Sequence, residues 1–348
     1  MRIVFVDGLF QPQWSRLHSG DGAIELTPFS QLQGDVIDEI SRRMSETDQF
    51  EDQPFLHLNT ALMDEGVLIR IADGVQLEAP VTVLYFHTTG LDKTCHPRNI
   101  ILMGVQAQAA VIEYYHATSG ERYFRNPVTD ITLGDESRLR HYVLQRENDS
   151  AQHVSFTRST QGRNSLYTRF AVDFGAAMAR HDLVAELEGE GGEAVLNGLY
   201  MPQGRQHMDH HTTVRHLQPH TFSRQLYKGV LNDGAHAVFN GRIYVAREAQ
   251  KTDAIQYNRN LLLSDDAVAD TQPQLEIFAD DVRCTHGGTI GQLYEDGLFY
   301  LRARGIGEET ARHIMVHAFA GEVTDRIQEA ALRDQVNRWV LERLGWEE

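Results

Sequence analysis

Only two cysteines, Cys95 and Cys284, occur among the 348 residues. Two thiols make no disulfide framework, and a reducing compartment is the expectation. The opening MRIVFVDGLF carries one Arg, an early Asp and no small-residue cleavage site, so it reads as a strand and not as a leader. Together these point to a cytoplasmic setting. Long apolar runs are also missing: stretches such as Ile100–Met103 and Leu261–Leu263 fall far short of a membrane span. Basic residues are scarce, 32 Lys+Arg against 49 Asp+Glu for a net charge of −17, and no compact basic run occurs. Such a surface repels phosphate, which disfavours nucleic acid and anionic membranes as partners. There is no G-x-x-x-x-G-K-[ST], G-x-S-x-G, H-E-x-x-H or C-x-x-C. Gly305-Ile306-Gly307 continues as Glu308-Glu309-Thr310 and fails the dinucleotide fingerprint.

What is present is an ordinary globular balance, 41% hydrophobic and 23% charged residues, in three unequal parts. Residues 1–75 mix a strand at Val4–Val6 with a helical stripe of Val36, Ile37, Ile40 and Met44, and read as a small α/β lead-in. Residues 76–291 carry a beat of short strands, starting near Arg138, Ala151, Asn164, Ala179, Gly192, Gln206, Thr221 and Ala235. More than ten strands without closing helices favour a repeating stack over a sandwich, with two strands per coil and coils of about 28 residues. Two-residue alternation puts Ala179, His181, Leu183, Ala185 and Leu187 on one face. It also sets Leu166, Phe170 and Val172 against Ser165, Arg169 and Asp173, which reads as inside against outside. Asn197-Gly198 and Asn240-Gly241 are expected at tight corners. Residues 292–348 turn helical, with one stripe of Ile314, Met315, Ala318 and Phe319 and another of Val336, Trp339, Val340 and Leu344. One stripe is expected to pack on the end of the stack, covering sheet edges.

Two clusters could carry chemistry. In HMDHHTTVRHLQPH, a strand puts His207, Asp209 and His211 on one face, about 7 Å apart at each step. Imidazole and carboxylate suit a borderline metal, which would make a metal-dependent sugar or carboxylate enzyme on a β-helix or cupin-like scaffold. Ligands from one strand do not converge unaided, so the alternative is a polar outer face of solvated histidines. In Asp280–Gly288, Cys284 and His286 share a face if the segment is extended. Thiolate and imidazole suit iron or zinc, yet two ligands are half a site, to be completed by another chain. The alternative is a buried Cys beside a hydrogen-bonded His. Cys95-His96 point to opposite faces, and Asp265-Asp266 and Asp280-Asp281 read as turn residues.

The run from Ala237, AVFNGRIYVAREAQKTDAIQYNRNLLLSDDAVADTQPQLEIFADDVRCTHGGTIGQLYEDGLFYLRARGI, resembles the shared core of the SufB/SufD family of iron–sulfur cluster assembly scaffolds. LNGLY at Leu196–Tyr200 and the SRQLYKGVL segment are similar too, and DDVRCTHGGTIGQL places the chain nearer the SufD branch. Family members usually begin with a further helical segment, so a short or N-terminally shortened member is implied. The resemblance implies a right-handed parallel β-helix with a C-terminal helical domain, and a non-catalytic subunit. It implies pairing with a SufB-like chain, a SufC-like ABC ATPase as motor, and a homodimer when the chain is alone. The assembly would build transient iron–sulfur clusters and hold a reduced flavin, with none of these expected on the isolated chain. It places Cys284 and His286 at the cluster-assembly interface, with His286 as a metal ligand shared with the partner. Docking of the ATPase falls to the C-terminal helices, with Phe319 and Trp339 as anchors.

Overall fold

The computed structural model describes residues 1–17, 22–45, 52–88 and 93–346. Strands recur where the alternation places them: Arg138–Arg146, Gln152–Gln161, Leu166–Asp173, Met178–Leu187, Glu193–Tyr200, His207–His216, Phe222–Leu231 and His236–Val245. Successive strands alternate between two sheets, and each pairs in parallel with the strand one coil away. Register partners lie 26 residues apart at Gln152 and Met178, 29 at His207 and His236. The chain is a parallel β-solenoid whose two sheets face each other across one interior.

The lead-in is not separate from this stack. Arg2–Val6 pairs in parallel with Val81–His87, and Gly66–Ile71 with Arg98–Met103, so both sheets begin inside residues 1–75. Two helices lie outside the second sheet. Helix α1 (Asp35–Ser45) sets Ile40 against Leu68 and Ile100, and α2 (Pro54–Leu62) sets Leu56 against Val128 and Phe156.

The corners differ from expectation. Asn197-Gly198 and Asn240-Gly241 lie within the strands Glu193–Tyr200 and His236–Val245. A Cβ on Gly198 would meet the ring of Tyr227 at 2.2 Å, so this glycine seats a tyrosine of the next coil. The true corner signal is a file of Gly104, Gly134, Gly162 and Gly189, where backbones of successive coils touch. A Cβ on Gly134 would lie 2.9 Å from the Gly104 carbonyl carbon, and one on Gly189 2.2 Å from that of Gly162.

Alternation also hides a reversal. In Leu166–Asp173 it is Tyr167, Arg169, Ala171 and Asp173 that point inward, while Phe170 and Val172 point outward. The outward pair is buried all the same, because α4 (Glu308–Thr324) and α5 (Ala330–Arg343) lie over that face, following α3 (Glu295–Arg302). Val316, Ala320, Val323, Val336, Trp339 and Val340 meet Tyr142, Phe170, Leu199, Leu226 and Val230. The helices therefore cover a flank of the stack and not its end. On α4 the stripe facing the sheet is Ala311, Val316, Ala320 and Val323; Ile314 and Met315 are only half-buried and Ala318 is exposed.

Lys228, fully buried under α4, ties the flank down. Its Nζ donates to the Phe319 carbonyl at 2.9 Å, pairs with Glu322 at 2.7 Å and sits 4.0 Å from the Phe319 ring centroid. Burial pulls its pKa below the usual lysine value, opposed by Glu322. Trp339 stacks on Tyr114 at 5.7 Å, meets Phe174 edge-on at 6.4 Å and carries Arg146 over its face at 5.0 Å. Trp339→Ala is expected to cost about 3–5 kcal/mol in urea unfolding, as for a large buried aromatic. Phe299→Ala on exposed α3 should stay within about 0.5 kcal/mol. Equal effects in the two variants would contradict this account of the flank.

Candidate functional site

The stack stops at two strands, Val268–Ile277 and Arg283–Gln292. Each is hydrogen-bonded on one side only, to His236–Val245 and to Asp253–Leu262 respectively. Ten-residue edges of this kind present unpaired N–H and C=O groups that template another strand. Local sequence explains the ending. Pro273 lies inside Val268–Ile277, a residue that edge strands tolerate and central strands do not. Gly288 lets the last two strands close on each other, since a Cβ there would come 2.9 Å from Thr271 Cγ2. Beyond Gln292 the chain turns helical.

Cys284 and His286 lie on the second of these edges, in register with Ala254 and Gln256. Both register partners are fully buried, so thiol and imidazole continue the inward-facing file, as their spacing suggests. No further coil covers them. Cys284 is half-buried and His286 exposed. Burial first, then the Asp253 charge, pushes the Cys284 thiol up, against a backbone hydrogen bond from Ala254, so at neutral pH it is protonated. Among the described residues no group of three or more His, Cys, Asp or Glu side chains is placed to hold a metal. The open coil thus offers two donors and a strand edge.

His207, Asp209 and His211 do share the outer face of their strand, and they do not converge. Asp209 is taken by Arg180 at 2.7 Å and His211 at 2.8 Å, while the His207 ring abuts His236 of the next coil at 4.8 Å. His210 and His216 from the same run lie on the other face of the strand and are buried. The metal-enzyme alternative has no ligand set here. Cys95 lies near the opposite end of the stack, buried, its thiol pushed up to about 11 chiefly by burial.

Inside the stack runs a column of carboxylates, imidazoles and a guanidinium that the alternation did not disclose. Glu113 accepts from Tyr115 at 2.7 Å and Thr129 at 2.8 Å and pairs with His141 at 3.1 Å. Glu147 holds Arg125 at 3.2 Å, His153 at 2.8 Å and Tyr123 at 2.7 Å. Asp173 bridges His181 at 2.8 Å and His210 at 3.4 Å. Burial alone would raise Glu147, but Arg125 and His153 overcome it and leave the carboxyl at about 2. The only signal in the sequence was charge on the same alternation as Tyr167 and Ala171.

The helical anchors divide. Trp339 is 7% exposed and is consumed by the flank, so it offers no surface to a partner. Phe319 is half-buried over Lys228. The exposed aromatics stand on and beside α3, where Phe299 is 74% and Tyr294 67% exposed, with Tyr300 next to them.

Residues 86–319 match the family described as SUF system FeS cluster assembly, SufBD core domain. The chain belongs to the SufBD family. It is 34% identical to an iron–sulfur cluster assembly SufBD family protein of Synechocystis, over 97% of this chain and 77% of that one. It is 32% identical to the iron–sulfur cluster assembly protein SufD of Escherichia coli, over 99% of this chain and 79% of the relative. A chloroplastic protein of Arabidopsis thaliana, ABCI7, is 31% identical over 87% of the chain and 66% of its own length. As a SufBD family member the chain is an iron–sulfur cluster assembly protein, and the parallel solenoid with C-terminal helices is its fold. No helix among the described residues is long and apolar enough to cross a membrane.

A reduced flavin does not fit the larger cavities between α5 and the strands, of about 370 and 200 Å³. Their principal cation, Arg343, already donates to the Met201 and Phe174 carbonyls and to Gln206, and Arg146 pairs with Glu342.

Buried histidines should make the fold acid-sensitive. Burial holds both His210 and His216 down at about 3, well below the 6.5 of a free imidazole. Their folded pKa values are depressed, so the unfolded chain takes up protons first and stability falls as pH drops from 6.5 toward 3. Each contributes a slope of about 1.4 kcal/mol per pH unit in that window. Glu147, also depressed, adds its own loss only below about 4.5. Urea unfolding at pH 7.5, 6 and 5 should show a falling midpoint, which His216→Asn flattens; an unchanged midpoint across that range contradicts the assignment.

Proposed function

We propose that this chain is a non-catalytic scaffold subunit whose open coil pairs with a SufB-like chain, the two together holding nascent iron–sulfur cargo. The reading is carried by one observation: Cys284 and His286 lie on a bare ten-residue strand edge, inward-facing and uncovered. A partner strand that adds to this edge satisfies its backbone and covers both donors at once. Thiol and imidazole are ligands iron accepts, and the partner would complete the set. A second copy could use the same edges, which gives the homodimer expected of the isolated chain.

A SufC-like ABC ATPase would dock on the helical unit. With Trp339 buried, the supporting feature is the exposed aromatic group of Tyr294, Phe299 and Tyr300, since aromatic anchors dominate interface energetics. Cluster chemistry and motor docking then occupy adjacent parts of the chain, because α3 follows the last strand directly.

His286→Ala removes an exposed imidazole and should leave the melting temperature and capture of the SufB-like chain unchanged, while cluster formation by the purified three-part complex falls at least tenfold. Cluster formation at the native rate would defeat the reading. Phe299→Ala with Tyr300→Ala should weaken ATPase capture by about tenfold or more without altering stability. Unaltered capture would place the motor elsewhere.

A further inference from the structure

The inward-facing file that ends at His286 contains two glutamines. Leu196, Gln225, Gln256 and His286 are successive register partners, one per coil. Neighbours in such a ladder lie about 4.8 Å apart, close enough for side-chain amides to hydrogen-bond along the stack. Gln225 is buried, and its Oε1 accepts from Thr212 Oγ1 at 2.9 Å, while its Nε2 has no partner. Gln256 is completely buried, and neither its Oε1 nor its Nε2 has a partner. Room for this carboxamide depends on Gly241 across the interior, where a Cβ would stand 2.1 Å from Gln256 Nε2. A buried amide without partners costs about 1–3 kcal/mol per group, so the chain retains it against its own stability.

We propose that Gln256 is the positioning residue of His286. When a partner strand closes the coil, its carboxamide oxygen, unpartnered in the isolated chain, accepts the N–H of the inward ring nitrogen, with the unpartnered Gln225 Nε2 one rung below. That hydrogen bond fixes one tautomer and leaves the lone pair of the other nitrogen directed out of the open coil toward the partner and its cargo. Imidazoles that bind metal through one nitrogen commonly donate from the other to a carbonyl or carboxylate, and loss of that acceptor costs about 10–100-fold. Gln256 touches no cargo; it acts through His286, and the inference rests on the role proposed for His286 above.

The test compares Gln256→Leu, which removes the acceptor, with Gln256→Glu, which keeps one. In the three-part complex Gln256→Leu should lower cluster formation about tenfold, Gln256→Glu should restore it to within about threefold, and Gln256→Leu should add nothing in a His286→Ala background. In the complex with the SufB-like chain, with ¹⁵N-histidine in this chain alone, His286 should show one tautomer in the native protein and a mixture in Gln256→Leu. Native cluster formation in Gln256→Leu, with His286→Ala impaired, overturns the positioning role and leaves the proposed function standing. A loss of equal size in both backgrounds assigns Gln256 to the fold and also overturns it. An unimpaired His286→Ala defeats the proposed function itself, and the positioning role with it.

Discussion

Each coil of this molecule depends on the next to pair its backbone and to cover its inner face. That single requirement propagates through the chain. Apart from two antiparallel N-terminal pairs, Arg2–Val6 with Leu9–Phe10 and Ile24–Pro28 with Gly66–Ile71, it makes each strand parallel to its neighbour in the stack, sets a repeat near 29 residues, and fixes which side chains meet one coil apart. It also means that the last coil cannot satisfy itself. A stack of this kind must end in a helix cap, a blunted edge or a partner, and here the C-terminal helices lie over a flank instead.

The interior shows how far stacking can carry unfavourable contents. Arg125, Glu147, Asp173, His153, His181 and His210 are removed from water in a space between two sheets. Isolated, a buried carboxylate or guanidinium would be prohibitive; with imidazoles, Arg125 and the Tyr123 and Tyr115 hydroxyls facing the carboxylates, each finds hydrogen-bond partners in low-dielectric surroundings. Polar groups that repeat in register lock the coils against slipping, because a one-residue slip would turn every charge outward and every aromatic with it. Inward polar groups recur in the last coils at Gln225 and Gln256, so the uncovered terminus continues an interior that already holds hydrogen-bonding groups.

The helical unit divides labour along its length. Helices α4 and α5 bury Val316, Val336 and Trp339 against outward-facing Phe170, Leu226 and Val230, and Lys228 fastens the contact. The preceding α3 buries none of its residues and keeps its aromatics in solvent beside the bare edges. Packing and exposed aromatic surface therefore belong to different helices, which is why a substitution at Trp339 and one at Phe299 should be distinguishable by unfolding alone.

Period-two alternation in the sequence determined the strands from Arg138 to Val245 to within about two residues, the two-sheet coil and the helical change after Gln292, because side chains on a strand must alternate whatever surrounds them. The adjacency of Cys284 and His286 on one face followed from the same rule, and the DDVRCTHGGTIGQL segment carried the family. Alternation says which residues share a face, not which face is inside: Phe170 and Val172 looked internal only because the helices that cover them lie more than a hundred residues away in the chain. Likewise Asn197-Gly198 has the composition of a corner, yet a tyrosine from the following coil claims the space that the glycine leaves. Trp339 sits on an apolar stripe, but a stripe does not disclose its partner, and only its stacking on Tyr114 shows that it is spent inside. The ladder that puts Gln256 beneath His286 was invisible in the sequence, since register between strands thirty residues apart is decided by three-dimensional pairing and by no local preference.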